Sequence, residues 1–193
     1  MKLFLVRHGE TEENSAGILM GHHHGVLTEK GKQQAREIAE ILKNHKFAHI
    51  YCSDLNRCID TAEFIKESHL DTPLTFTKEL REVNMGIFQG RKKVEVDWSS
   101  LEGDVLDKRP EGGESLRELR TRVSNFIREC YRKHPEDNVL FITHAGVIRQ
   151  LVSHFTGMSS KDVFDGVKVG NAQVFEIEVY DDLSGKIINL SSQ

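Results

Sequence analysis

Apolar positions along the chain alternate between two periods. Lys2-Leu-Phe-Leu-Val6 is a short continuous apolar run of the kind that forms a buried strand, and Arg7-His8-Gly9-Glu10-Thr11 is too polar to extend it. Residues 33–43 then place Ala35, Ile38, Ala39 and Leu42 at steps of three and four, which predicts an amphipathic helix. Residues 47–52 predict a second strand, and Asp54 is a candidate cap for a helix that turns Leu55, Ile59, Ala62 and Ile65 inward. Residues 73–76 give a weaker third strand, so the order to this point is βαβαβ. From 82 to 113 no period persists and six residues are Gly or Pro, which predicts an irregular excursion with one short helix. Residues 115–131 predict a strong helix through Leu116, Leu119, Val123, Phe126 and Ile127. Residues 139–143 follow as the clearest buried strand, then a helix over 147–155, and finally a hairpin of 172–179 and 186–190 about the turn at 181–185. Right-handed crossovers between alternating strands and helices put helices on both faces of the sheet. The expected fold is a three-layer α/β/α sandwich with a mainly parallel central sheet and a C-terminal antiparallel hairpin.

Composition narrows the function classes. At 193 residues one domain is expected over the whole chain, and 38% hydrophobic content suits a packed core rather than disorder. Thirty acidic against 26 basic residues leave a net charge of -4, which offers no general attraction to nucleic acid or to anionic lipid. Any bound anion must be held by local geometry. No apolar run approaches the length of a membrane span and no leader-like segment follows Met1-Lys2, so a soluble cytoplasmic protein is expected. Cys52, Cys58 and Cys130 are odd in number and form no CxxC, which favours reduced thiols over a disulfide framework or a zinc cluster.

Chemistry gathers where strands stop. Arg7-His8 follows the first strand, 53–57 the second, Arg81-Glu82 the third, and Thr143-His144 the strongest strand. In a parallel sheet those endings share one edge, the edge where ligands bind. Arginine forks from different junctions match the oxygens of a phosphoryl group, so a phosphate pocket is expected. A neutral imidazole is a competent nucleophile there, and neighbouring Arg7 and Arg57 would keep His8 neutral. Its other ring nitrogen needs an acceptor, which a backbone carbonyl could supply. Glu82 is the candidate general acid for the leaving alcohol, His144 a donor to a phosphoryl oxygen, and Asn14 a further neutral donor. Taken singly, His144 could instead be a core histidine bonded to a neighbouring strand, and Arg57 could pair with Asp54 or Asp60.

Leu5-Val-Arg-His-Gly-Glu-Thr11 with Asn14 resembles the signature of the histidine phosphatase superfamily, the phosphoglycerate mutase-like branch 1. Further matches keep the family's order: Leu27-Thr28 with Gly31, Ser53-Asp-Leu-Asn-Arg57 with Thr61-Ala62, Leu80-Arg-Glu82 before Gly86 and Gly90, Gly113-Glu-Ser115, and Thr143-His-Ala-Gly-Val-Ile-Arg149. The resemblance spans residues 3 to about 155. It implies that His8 is phosphorylated, that Arg7, Asn14, Arg57 and His144 cradle the phosphoryl group with Gly21 and Ala145, and that Glu82 is the proton donor. It implies no metal or organic cofactor, a small phosphorylated metabolite as partner, and compatibility with a homodimer.

The departures concern the substrate. Asp60 stands where many relatives carry glutamine, Val26 where proline precedes Leu-Thr, and His22, His23 and His24 fill a loop that edges the family's pocket. Three adjacent histidines suggest a metal, but neighbours in an extended loop point in alternating directions, so substrate contact is the better expectation. The basic run Arg91-Lys-Lys93 could meet a second anionic group on a substrate. Gln89 is the residue of cofactor-dependent mutases where many phosphatases have glutamate, yet only 62 positions separate Glu82 from His144, too few for a mutase's covering insertion. A mutase must shield its phosphorylated intermediate from water, so the shorter chain favours hydrolysis. The expected function is a phosphatase acting through phosphohistidine on His8; the rivals are a phosphoglycerate mutase, a non-catalytic phosphate binder on the same fold, and a zinc hydrolase.

Overall fold

The computed structural model of the chain describes residues 1–159, 162–163 and 166–190. Its strands are β1 (Lys2–Arg7), β2 (His49–Ser53), β3 (Leu74–Thr77), β4 (Asn138–Thr143), β5 (Val174–Val179) and β6 (Gly185–Leu190), joined in one sheet of order β3-β2-β4-β1-β5-β6. The first four in that order run parallel; β5 lies antiparallel to β1, and β6 to β5. The helices are α1 (Glu12–Ser15), α2 (Glu29–Leu42), α3 (Asn56–Lys66), α4 (Leu116–Lys133) and α5 (Ala145–Thr156).

Strand β1 shows why helices flank both faces. Its side chains alternate, and all four central ones are buried: Phe4 and Val6 pack with Ile38 and Leu42 of α2 and Ile65 of α3, while Leu3 and Leu5 pack with Leu119, Val123 and Ile127 of α4 and Leu151 of α5. The three-layer expectation is met. Register levels the strand ends, with Arg7 opposite Thr143, Ile142 opposite Cys52 and Ser53 opposite Thr77. The residues that follow β1, β2 and β4 therefore emerge along one edge.

Local capping moved several expected boundaries. Helix α2 starts four residues earlier than its apolar stripe because Thr28 Oγ1 accepts the Gly31 N–H at 2.9 Å. The short α1 escaped periodicity altogether; it is held by a capping box between Thr11 and Asn14. Asp54 does not cap α3. The cap is Leu55, without a side-chain bond, and the Asp54 carboxylate instead takes the Arg81 fork at 2.5 and 2.6 Å. The excursion holds three single 3-10 turns, Gly86–Phe88, Lys93–Glu95 and Trp98–Ser100, where one short helix was expected. Strand β5 begins two residues late, since Ala172 adopts φ 52°. Among the described residues no helix is long and apolar enough to cross a membrane.

Candidate active site

His8 and His144 leave β1 and β4 side by side, with ring centroids 5.2 Å apart at an interplanar angle of 59°. His8 is 3% exposed and His144 fully buried, and Arg57, from the first turn of α3, is 1% exposed beside them. Nδ1 of His8 lies 2.7 Å from the Gly9 carbonyl oxygen. A carbonyl only accepts, so Nδ1 carries the proton and Nε2 is left with its lone pair. Burial, then the charges of Arg57 and Arg7, hold the His8 pKa well below its ordinary value against the opposing pull of the Gly9 bond. The ring is neutral, as the sequence predicted.

The glycine at position 9 has a steric cause. A Cβ there would stand 2.4 Å from the Gly31 carbonyl oxygen, and a Cβ on Gly31 would stand 2.0 Å from that of Glu10. Backbone meets backbone where α2 starts, which explains the spacing of the Leu27-Thr28 and Gly31 matches. The Gly9 N–H is taken by Thr61 Oγ1 at 3.1 Å, whose own hydroxyl donates to the Arg57 carbonyl.

Arg57 faces neither Asp54 nor Asp60. Its Nε donates to His144 Nδ1 at 3.2 Å, Nη1 to the His23 carbonyl at 2.7 Å and Nη2 to the Gly21 carbonyl at 2.9 Å. Since a guanidinium only donates, His144 bears its proton on Nε2, which faces Ser53 Oγ at 2.8 Å and Cys58 Sγ at 3.4 Å. Burial, followed by the neighbouring arginine, lowers the His144 pKa well below normal. The Cys58 thiol is pushed up to about 12 by burial and stays neutral. Ser53 was part of a motif without a role; it is the polar end of β2 that satisfies His144.

Arg7 enters from the other side. Its Nη1 donates to the Val169 carbonyl at 2.8 Å, while its buried Nε has no hydrogen-bond partner among the described residues. An unmet buried donor costs on the order of 1–3 kcal/mol, which an anion's oxygen would recover. Burial lowers the Arg7 pKa to about 10, against the attraction of Glu82, so the group stays charged at neutral pH.

Glu82 is reached through a 3-10 turn, Lys78–Leu80, that follows β3. One carboxylate oxygen accepts the Val83 N–H at 2.9 Å and the other the Gly146 N–H at 3.2 Å, in the first turn of α5. A Cβ on Gly146 would fall 2.1 Å from Glu82 Oε1, so that glycine makes room for the carboxylate. Glu82 raises the pKa of Arg7 and of Arg57, which places its charge within the same cluster.

Asn14 Oδ1 accepts from Asn171 Nδ2 at 3.0 Å and from the Thr11 N–H at 3.4 Å, so its amide N–H groups remain as donors. Asn171 also donates to the His8 carbonyl at 3.2 Å. No sequence signal singled out Asn171. Arg81, expected at the same edge, is spent on Asp54. The three histidines diverge: His22 Nε2 donates to the Glu82 carbonyl at 2.8 Å, His23 offers its carbonyl to Arg57, and His24 Nδ1 accepts from the Asn56 N–H at 3.5 Å. Among the described residues no three His, Cys, Asp or Glu side chains group as a metal site. Gln89 Oε1 accepts the His22 N–H at 2.6 Å, close under Gly21, whose φ of 51° and lack of a Cβ let the loop pass.

Known proteins match this chain over most of its length. A "Probable phosphoglycerate mutase GpmB" from Salmonella choleraesuis is 34% identical over 164 residues, covering 82% of this chain and 76% of that protein. "Phosphoglycerate mutase-like protein 4" of Arabidopsis thaliana is 35% identical over 160 residues, 78% of this chain and 69% of its own. Among solved structures, the alpha-ribazole phosphatase from Shigella flexneri superposes with a TM-score of 0.86 at 27% identity, covering 100% of this chain and 96% of that one. The histidine phosphatase superfamily (branch 1) matches residues 3–187, and the chain belongs to that family.

Proposed function

We propose that this phosphatase hydrolyses phosphate monoesters of small metabolites through a phosphohistidine on His8. The observation that carries the reading is the Gly9 carbonyl on His8 Nδ1, which leaves a bare Nε2 in a neutral ring beside the guanidinium groups of Arg57 and Arg7. Nε2 attacks phosphorus as the ester bond breaks, and Glu82, entering this step in its protonated form, gives that proton to the leaving oxygen. Water then attacks the phosphorus and loses one proton to Glu82, and the N–P bond breaks to release phosphate and the free imidazole.

Arg7 and Arg57 meet the non-bridging oxygens, whose charge is fully exposed during transfer. The orphaned Nε of Arg7 supports this role. His144 meets the phosphoryl group through Nε2, the nitrogen that the Arg57 bond leaves protonated, sharing its one N–H between Ser53 Oγ and a phosphoryl oxygen. Asn14 adds its amide, Ala145 the first-turn amide of α5, where a helix N-terminus favours an anion. Gly21 acts through its carbonyl on Arg57. Neither a metal nor an organic cofactor enters this sequence of steps. Three buried free thiols suit the reducing cytoplasm.

The rival reading, a phosphoglycerate mutase, draws on the names of the relatives and on Gln89. A single experiment separates them. Incubation with a panel of phosphorylated metabolites, phosphoglycerates included, should release phosphate faster than any isomer interconverts; faster interconversion would establish the mutase.

A further inference from the structure

Glu82 itself lies in no strand or helix and only a single 3-10 turn, Lys78–Leu80, precedes it, so side chains must hold most of the carbonyls of this stretch. Arg122 does so from α4. Its Nη1 donates to the carbonyls of Glu79 at 2.6 Å, Arg81 at 3.1 Å and Lys78 at 3.3 Å, and its Nη2 to that of Glu82 at 3.4 Å. The same guanidinium grips Glu114 through Nε at 3.0 Å and Nη2 at 2.8 Å, with the two side chains only 18% and 16% exposed. Glu114 closes the frame from the far end. Its Oε2 accepts the Asn84 N–H at 3.3 Å and its own N–H donates to the Asn84 carbonyl at 2.8 Å. One ion pair thus brackets Glu82 on both sides along the chain.

A planar fork of five N–H donors suits this task, since the three N–H groups of a lysine, as Lys66 shows on three carbonyls, could not meet these six acceptors together. We propose that Glu114 and Arg122 are positioning residues that fix the backbone of Glu82 and so set where its carboxyl meets the leaving oxygen. Neither side chain bonds to His8, Arg57 or His144. The inference rests on the reading of Glu82 as proton donor.

The test is Arg122→Lys, with Glu114→Gln as a second variant where the first fails to fold, each checked for native melting. Both are assayed on glycerol 2-phosphate, a poor leaving group, and on p-nitrophenyl phosphate, which hardly needs protonation. The expected result is a fall of about 10- to 100-fold in kcat on glycerol 2-phosphate, as for an acid displaced by about 1 Å. On p-nitrophenyl phosphate the fall should stay under about threefold with KM little changed. A folded variant that loses both activities equally, or neither, overturns the proposal.

A second arm combines Arg122→Lys with Glu82→Gln. If Arg122 acts through Glu82, the double variant loses no more than Glu82→Gln alone, whereas independent action gives multiplied losses and overturns the proposal. Failure of the acid reading looks different. In that case Glu82→Gln by itself shows no preference between leaving groups, while the cycle still reports whether the two residues are coupled.

Discussion

The Nε–H of Arg57 points at Nδ1 of His144 from 3.2 Å, so a buried cation and a neutral imidazole hold each other across the end of the sheet. The remaining guanidinium nitrogens reach the Gly21 and His23 carbonyls. Arg57→Lys cannot reproduce this planar set. We expect kcat/KM to fall by roughly 10²–10³, the usual cost of one donor to developing charge. Stability should fall by about 1–3 kcal/mol as buried acceptors lose partners. Phosphate-release kinetics and urea melts check both, and activity within tenfold of wild type would remove Arg57 from the phosphoryl site.

His8→Ala should lose at least about 10³ in turnover, since the nucleophile has no substitute in the site. Rapid quenching followed by digestion should find acid-labile phosphate on His8 in the wild-type protein and none in the variant. Phosphate trapped elsewhere would refute the assignment.

Gly146→Ala makes a sharper claim about Glu82. Alanine in place of a helical glycine adds up to about 1 kcal/mol of helix stability. Its Cβ would nevertheless stand 2.1 Å from Glu82 Oε1 and push the carboxylate aside. The melting temperature should hold or rise while kcat on alkyl phosphates drops about tenfold or more. Retained kcat would mean the acid tolerates displacement.

Stability should decline with acid. Burial is the largest cause holding the pKa values of His8 and His144 well below the ordinary 6.5, and it lowers those of His22, His69 and His154 too. Above about pH 6.5 these rings are neutral in both states and contribute nothing to the slope; below it the unfolded chain takes up protons that the folded one refuses. Urea midpoints from about pH 7.5 down to about pH 5 should therefore fall, and less steeply in His8→Asn. A midpoint that rises with acid would contradict the neutral, buried rings.

The parallel core was legible because β1 and β4 read as unbroken apolar runs, and the meeting of His8, Arg57, Glu82 and His144 because they stand one to a junction. What stayed hidden was set by partners distant in sequence. Asp54 has the composition of a cap, but Arg81 lies 27 positions on and takes its carboxylate first. The link from Asn171 to Asn14 spans 157 positions, and Arg122 looks like any solvated helix arginine until the carbonyls of Glu79, Arg81 and Glu82 are set beside it.

The pairing of Arg7 with Thr143 and of Cys52 with Ile142 also determines where this chain can be lengthened without harm. One residue added inside β4 would turn each later side chain to the opposite face and carry His144 away from His8. Residues added between Gly90 and Pro110, which lie in no strand of the sheet, would leave those pairings untouched. The excursion can thus change length while the ends of β1, β2 and β4 stay level, because the sheet alone sets their alignment.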